Sequence, residues 1–174
     1  MLDVSISYNR YKFLGYEFLT WLWFIIEKDQ NKLQNSNREP VSLGIGSRMV
    51  LENASNDNVE SITIKGDDAD LKEAILSLRK GAVVTELNLS LKEGDQEWRF
   101  NIKGESFNIA GLKPPETGPV ENQEEIEGAV LEKVFLYDKV IRLMDSLYKD
   151  FIKLRVTNKW NTEIVPLIKA WINP

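Results

Sequence analysis

The chain has 174 residues, no cysteine, no histidine, and 22 basic against 27 acidic residues for a net charge of −5. That length buries a core without disulfide staples, and the missing residue types exclude thiol nucleophiles, Ser-His-Asp triads, histidine general bases and Cys/His zinc sites within this chain. An acidic bulk surface predicts no global attraction to nucleic acid and leaves a local basic face as the electrostatic route to it. The lack of cysteine and an N-terminus without a basic flank or apolar stretch fit a cytoplasmic protein without a signal peptide.

In the first twelve residues Val4, Ile6 and Tyr8 alternate, the pattern of a short edge strand, a leader, or the remnant of a missing domain. Residues 13–26 then hold two of the five tryptophans. Phe18, Leu22 and Ile25 or Ile26 recur at helical spacing, with Leu19, Trp23 and Ile26 on the next stripe, so the spacing predicts a helix buried nearly all round. The run from Tyr16 to Ile26 falls short of the roughly 20 residues a bilayer needs, and charge follows at Glu27, so the helix belongs to a core and no membrane span is expected. Residues 29–40 are polar and aperiodic, which reads as a mobile, solvent-exposed connection.

From Val41 the period becomes two. Two short strands flanking a turn at Gly46 and Ser47, a loop over residues 53–58 and a third strand over 60–65 are predicted. Gly44 and Gly46 lack the third glycine and the helix of a dinucleotide site, so turn chemistry explains them. Residues 71–81 form a short helix, with Asp70 and Glu73 as a capping box, Arg79 and Lys80 at its negative end and Gly81 as its stop. Asp67, Asp68 and Asp70 lack the glycine and late glutamate of a calcium loop, so they act as capping acids and no metal is expected.

Residues 82–92 alternate cleanly, with Val83, Thr85, Leu87, Leu89 and Leu91 on one face; after a turn, Trp98, Phe100 and Ile102 alternate with Arg99, Asn101 and Lys103, forming an antiparallel hairpin with a basic outer face. Residues 107–115 add an edge segment ended by Pro114 and Pro115. Residues 116–127 form an acidic linker. A near-heptad stripe of Val130, Val134, Tyr137, Ile141, Met144, Leu147, Phe151 and Leu154 marks a long helix; such a stripe either pairs subunits or docks on the core, and docking is the expectation because the core supplies the partner it needs. Residues 160–172 form a last helix started or kinked by Pro166, with Trp171 and Ile172 closing the core. The expectation is an α+β fold of one domain over residues 1–174: a mainly antiparallel sheet packed against a buried N-terminal Trp-rich helix (1–115), the linker (116–127) and two C-terminal helices (128–174).

Three blocks, in this order, carry a family resemblance: Phe13-Leu-Gly-Tyr-Glu-Phe-Leu-Thr-Trp-Leu-Trp-Phe24; Leu78-Arg-Lys-Gly-Ala-Val-Val-Thr-Glu-Leu-Asn-Leu89 with Glu97-Trp-Arg-Phe100; and Leu131-Glu-Lys-Val-Phe-Leu-Tyr137 through Phe151-Ile-Lys-Leu-Arg155, Trp160 and Ala170-Trp-Ile172. Together they resemble the C-terminal half of the RdgC family, bacterial recombination-associated proteins. The resemblance implies a non-enzymatic protein without cofactor that binds double-stranded DNA with little sequence preference and modulates recombination. It also implies partners: a second copy in a homodimer, or a separate chain supplying the N-terminal half. A DNA-binding member would be nucleoid-associated.

Candidate DNA contacts are Lys65, Arg79 and Lys80 near one end of the sheet, with Arg99 and Lys103 on its exposed face; contacts of this kind predict weak, non-specific binding through phosphates. Ala82 departs from the family's helix-to-strand junction, where a basic residue would help. The alternative function is a protein-interaction or assembly module that has lost DNA binding or needs a partner chain for it, with Tyr137, Tyr148 and Phe151 as anchors. An enzyme built on carboxylates alone has no positive feature, since Glu124, Glu125 and Glu127 read as a solvated helix start.

Overall fold

The computed structural model describes residues 4–30, 33–35, 37–55, 58–66, 68–118 and 122–174. Its first helix, α1 (Val4–Lys28), takes in the Trp-rich run, with Phe18, Leu19, Leu22 and Trp23 fully buried and Trp21, Phe24, Ile25 and Ile26 nearly so. Of the readings open for Val4, Ile6 and Tyr8, the short edge strand is corrected, since the segment is helical. Three alternating residues are a weak strand signal, and extending a helix already nucleated by burial adds a hydrogen bond for each residue fixed.

The strands are β1 (Ser42–Ser55), β2 (Asn58–Lys65), β3 (Val83–Glu93), β4 (Gln96–Lys103) and β5 (Asn108–Lys113), in one sheet of order β2-β1-β3-β4-β5 with every neighbouring pair antiparallel. Since β2 and β3 both oppose β1, they run parallel to each other. Their connection is a crossover, supplied by α2 (Asp68–Arg79). This is the α+β fold expected from the sequence.

The predicted turn at Gly46 and Ser47 is corrected: β1 runs straight through them, and its register against β3 slips between Ile45 and Met49. The two residues form a bulge, held where a Cβ on Gly46 would come within 1.9 Å of Asn88 Oδ1. The predicted loop over residues 53–58 shrinks likewise, because β1 and β2 remain paired out to Ser55 and Asn58.

Gly81, at φ +93, ends α2 as predicted. Its N–H donates to Leu78 O at 3.0 Å and the N–H of Ala82 to Ser77 O at 3.1 Å, the two bonds of a Schellman stop. The acidic start differs from expectation, since Asp70 lies inside the first turn of a helix that begins at Asp68; its side chain and those of Asp67 and Asp68 lie outside the described residues.

The connection after α1 is anchored rather than open. Leu33 is fully buried, its carbonyl accepts from Val41 N at 3.0 Å, and Gln30 Nε2 donates to Leu43 O at 3.1 Å. One leucine amid polar residues has no periodicity to betray it.

The long helix α3 spans Gln123–Arg155, so the second half of the supposed linker is helical. Asn122 is its N-cap: its side-chain oxygen accepts from Glu125 N at 3.0 Å and its amide donates back to the Glu125 carboxylate. After α3 a π-helical turn (Trp160–Ile164) runs into α4 (Val165–Ile172), with Pro166 beside the junction. A proline lacks the N–H that a continuous α-helix would direct to the preceding turn, and the wider turn accommodates the loss.

The core lies between the sheet and the helices and is largely aromatic. Phe18 meets Trp21, Phe107, Tyr148 and Phe151 at ring-centroid distances of 5.3–6.0 Å. A second cluster joins the end of α1 to α4, where Trp23 and Trp171 pack edge to face with centroids 4.9 Å apart. Both indoles donate to Glu27: Trp23 to Oε1, Trp171 to Oε2 at 3.0 Å. A carboxylate on the last turn of a helix opposes the helix dipole, and these two donors offset that cost. Glu27→Leu leaves the fully buried Trp23 without its acceptor. Urea denaturation is expected to show a loss of about 1.5–3 kcal/mol, and a smaller one for Glu27→Gln, which keeps one acceptor oxygen. A loss under about 0.5 kcal/mol for Glu27→Leu would mean the bridge does not hold α4.

Candidate nucleic-acid interface and an exposed helix face

Alternation on β3 and β4 turns Leu87, Leu89, Leu91, Trp98, Phe100 and Ile102 toward the helices. The residues between them therefore form the opposite, open face. Across it Glu86 stands opposite Lys103, Asn88 opposite Asn101, and Ser90 opposite Arg99; Arg99 in turn faces Lys113 on β5, and Arg48 on β1 faces Lys65 on β2. Asn88 Nδ2 bonds Asn101 Oδ1 at 2.8 Å, fixing the centre of the ladder.

Three predicted contacts, Lys65, Arg99 and Lys103, thus share one face, and the register adds Arg48 and Lys113. The sequence concealed Arg48 because its place opposite Lys65 follows only if β1 is continuous through the bulge. Lys113 needs the pairing of β5 to bring it beside Arg99.

Two of these five cations are paired with acids: Arg48 with Glu86 at 2.8 Å and Arg99 with Glu97 at 3.0 Å. The hydrogen bond from Arg99 holds the Glu97 carboxyl below its usual range, and the same bond raises Arg99. The face is therefore mixed in charge, with Lys65, Lys103 and Lys113 as its exposed ammonium groups.

Arg79 and Lys80 do not join it. They sit at the end of α2 beside α4, where Arg79 Nε donates to Ile172 O, the terminal carbonyl of α4. Arg79 thus ties two helices together and caps the negative end of α4.

The three predicted partner anchors separate as well. Phe151 is fully buried and Tyr148 half-buried against Phe107, with ring centroids 4.1 Å apart, so both belong to the core, a correction to their expected role. Burial pushes the Tyr148 phenol above its usual pKa. Tyr137 remains 40% exposed.

The predicted α3 stripe divides in the same way: Met144, Leu147 and Phe151 are buried, whereas Val130, Val134, Tyr137 and Ile141 are exposed. A heptad stripe drifts by about 20° per repeat on a straight helix, so over the 33 residues of α3 it swings through roughly a quarter turn. The residues that meet the body instead are Leu136, Val140 and Leu143, with Trp98 Nε1 donating to Leu136 O at 3.1 Å. Ahead of Leu136, every described side chain from Glu125 to Phe135 is exposed except half-buried Ala129.

Comparison with protein-family models, curated proteins and solved structures finds no match to this chain. Among the described residues no group of three or more acidic, histidine or cysteine side chains could hold a metal ion, and no helix is long and apolar enough to cross a membrane.

Proposed function

We propose that the chain is a non-enzymatic, RdgC-like protein that contacts duplex DNA through phosphates, without sequence preference, on the open face of its sheet. The observation that carries this reading is the gathering of Lys65, Arg99 and Lys103 with Arg48 and Lys113 on one side of the sheet, opposite the helices. Five strands span about 19 Å, comparable to the width of a DNA duplex. The three blocks of the RdgC resemblance also meet in one core: Phe18 and Trp21 on α1 pack on Phe151 of α3, Trp23 packs on Trp171 of α4, and Trp98 of β4 bonds α3. That convergence supports kinship of fold, and function follows from it as a proposal.

With acids interleaved, the expected affinity lies in the non-specific range, a dissociation constant of about 10⁻⁴ to 10⁻⁶ M at physiological salt. Fluorescence anisotropy with unrelated duplexes is expected to give similar affinities that fall steeply with salt. Lys103→Glu combined with Lys113→Glu is expected to weaken binding and reduce the salt slope by roughly two. Both side chains are exposed, so the fold survives the change. Affinity that ignores salt, or is unchanged by the double reversal, removes this face from the DNA reading.

A second reading, an interaction or assembly module, is favoured by the apolar surface of α3. Ile126, Val130, Leu131, Val134, Phe135 and Ile141 are each more than half exposed. Absence of DNA binding at low salt, with this surface intact, leaves the second reading standing.

A further inference from the structure

The two edges of the sheet are unlike. On β5 the pairing with β4 slips between Arg99 and Asn101, Gly111 takes φ +60, Pro114 and Pro115 follow, and the Tyr137 hydroxyl of α3 reaches Leu112 O at 3.5 Å. Bulges, prolines and covering side chains close an edge to further strands. The β2 edge has none of these. Its 8 residues pair with β1 in unbroken register, contain no glycine or proline, and carry no charge between Glu60 and Lys65.

One bond fixes where the backbone groups of β2 point. Gly66 N donates to Ser47 O at 3.2 Å, and the register sets Arg48 opposite Lys65, so Ser47 and Gly66 form a hydrogen-bonded pair. Bonding to a given neighbour alternates along an antiparallel strand. Glu60, Ile62 and Ile64 therefore bond β1, whereas Val59, Ser61, Thr63 and Lys65 turn their N–H and C=O groups away from it. The side chains of Ser61, Thr63 and Lys65 are exposed, and beside them a trough of about 640 Å³ is lined by Arg48, Thr63, Ile64, Lys65 and, from α2, Glu73. Arg48 is engaged by Glu86, so the charges the trough offers are the exposed Lys65 ammonium and the exposed Glu73 carboxylate.

We propose that this edge takes up an extended segment of a partner protein as a sixth strand, one in which an acidic and a basic residue are neighbours in sequence. In such an addition main-chain bonds supply the affinity and alternate side chains the selectivity. A guest strand lies about 4.8 Å from β2 and sends successive side chains to opposite faces. Its acid then meets Lys65 on the open face, and the adjoining base turns to the helix side, toward Glu73. The β2 strand of a second copy lacks that pair, since Glu60 stands between Val59 and Ser61, and Lys65 between Ile64 and Gly66. Neither the sheet-face contacts proposed for DNA nor the apolar surface of α3 uses this row of backbone groups.

The probe is a short blocked peptide of valine and threonine with a central glutamate–arginine pair, titrated into the whole chain and followed by amide exchange and NMR shifts. In the chain alone, the amides of Ile62 and Ile64 are expected to exchange slowly and those of Ser61, Thr63 and Lys65 rapidly. Saturating peptide is expected to slow the second set about tenfold or more. Thr63→Pro deletes an outward N–H and no bond to β1, so it is expected to preserve the unfolding midpoint while weakening the peptide about tenfold. Glu73→Lys is expected to weaken it too, and to restore binding to a peptide whose arginine is replaced by glutamate. Shifts that map elsewhere, no saturation at millimolar peptide, or affinity unchanged by Thr63→Pro or by Glu73→Lys overturns the proposal. A dimer of the chain that Thr63→Pro dissociates assigns the edge to a second copy and overturns it as well. Should Thr63→Pro fail to fold, the exchange pattern of the unaltered chain with and without peptide decides.

Discussion

Trp23→Ala lowers the unfolding free energy by about 3–5 kcal/mol, a third or more of what holds a typical domain folded. The indole is fully buried, packs edge to face on Trp171 and donates to Glu27, so truncation opens a cavity and releases α4 together with the end of α1. Trp21→Ala is expected to cost a similar amount, since Trp21 is 7% exposed and packs on Phe18 and Phe151. The two tryptophans differ when replaced by phenylalanine. The buried Trp21 Nε1 finds no acceptor among the described residues, so Trp21→Phe removes an unpaired donor, whereas Trp23→Phe breaks a bond and leaves Glu27 one donor short. Chemical denaturation is expected to rank Trp23→Phe as the more damaging by about 1 kcal/mol or more. A loss below about 1 kcal/mol for both alanine variants would mean α1 is not the centre of the core.

Gly15→Ala destabilises by at least about 2 kcal/mol, and Gly128→Ala stabilises by up to about 1 kcal/mol. The substitutions are identical and both sites are helical, so intrinsic propensity favours alanine equally at each. A Cβ on Gly15 would lie 1.8 Å from the carbonyl oxygen of Gly104, where the β4–β5 turn crosses α1, and backbone atoms on both sides leave nothing flexible to yield. Gly104 N is itself bonded to Thr85 O at 2.9 Å, so moving the turn strains β3 as well. At Gly128 the same Cβ meets nothing within 4 Å. Thermal or urea unfolding of the two variants should therefore shift in opposite directions. Equal shifts would show that helix propensity, and not the approach of the turn to α1, governs Gly15.

Where the chain repeats a period over many residues, its sequence could be read directly. The run from Phe18 to Ile26 is apolar except for Thr20, and every residue but Thr20 is buried. Leu87, Leu89 and Leu91 on β3 pair with Met49, Ile45, Leu43 and with Ile102, Phe100, Trp98, an alternation that is regular between β3 and β4 and is interrupted on β1 by the bulge. Short signals failed for a stated reason in each case. The triplet Val4, Ile6 and Tyr8 was absorbed into a growing helix, and Gly46-Ser47 serves a bulge as well as a turn because both need a residue without steric demands. Of the candidate DNA contacts, Arg99 and Lys103 could be assigned to one sheet face by alternation alone, whereas Lys65, expected near one end of the sheet, joins them through the pairing of β2 with β1. The engagement of Arg79 with Ile172, 93 residues away in sequence, has no local signature.

The sequence by itself determined the Trp-rich helix, the β3–β4 hairpin, the end of α2 and the long helix α3, because the period of apolar residues and the stop at Gly81 are local properties that neighbouring residues enforce. Only the tertiary structure decided which side of each element is covered. Burial depends on what stands opposite, and on α3 the drift of a seven-residue repeat around a 3.6-residue helix turns one continuous apolar stripe toward the core at Phe151 and toward solvent at Val134.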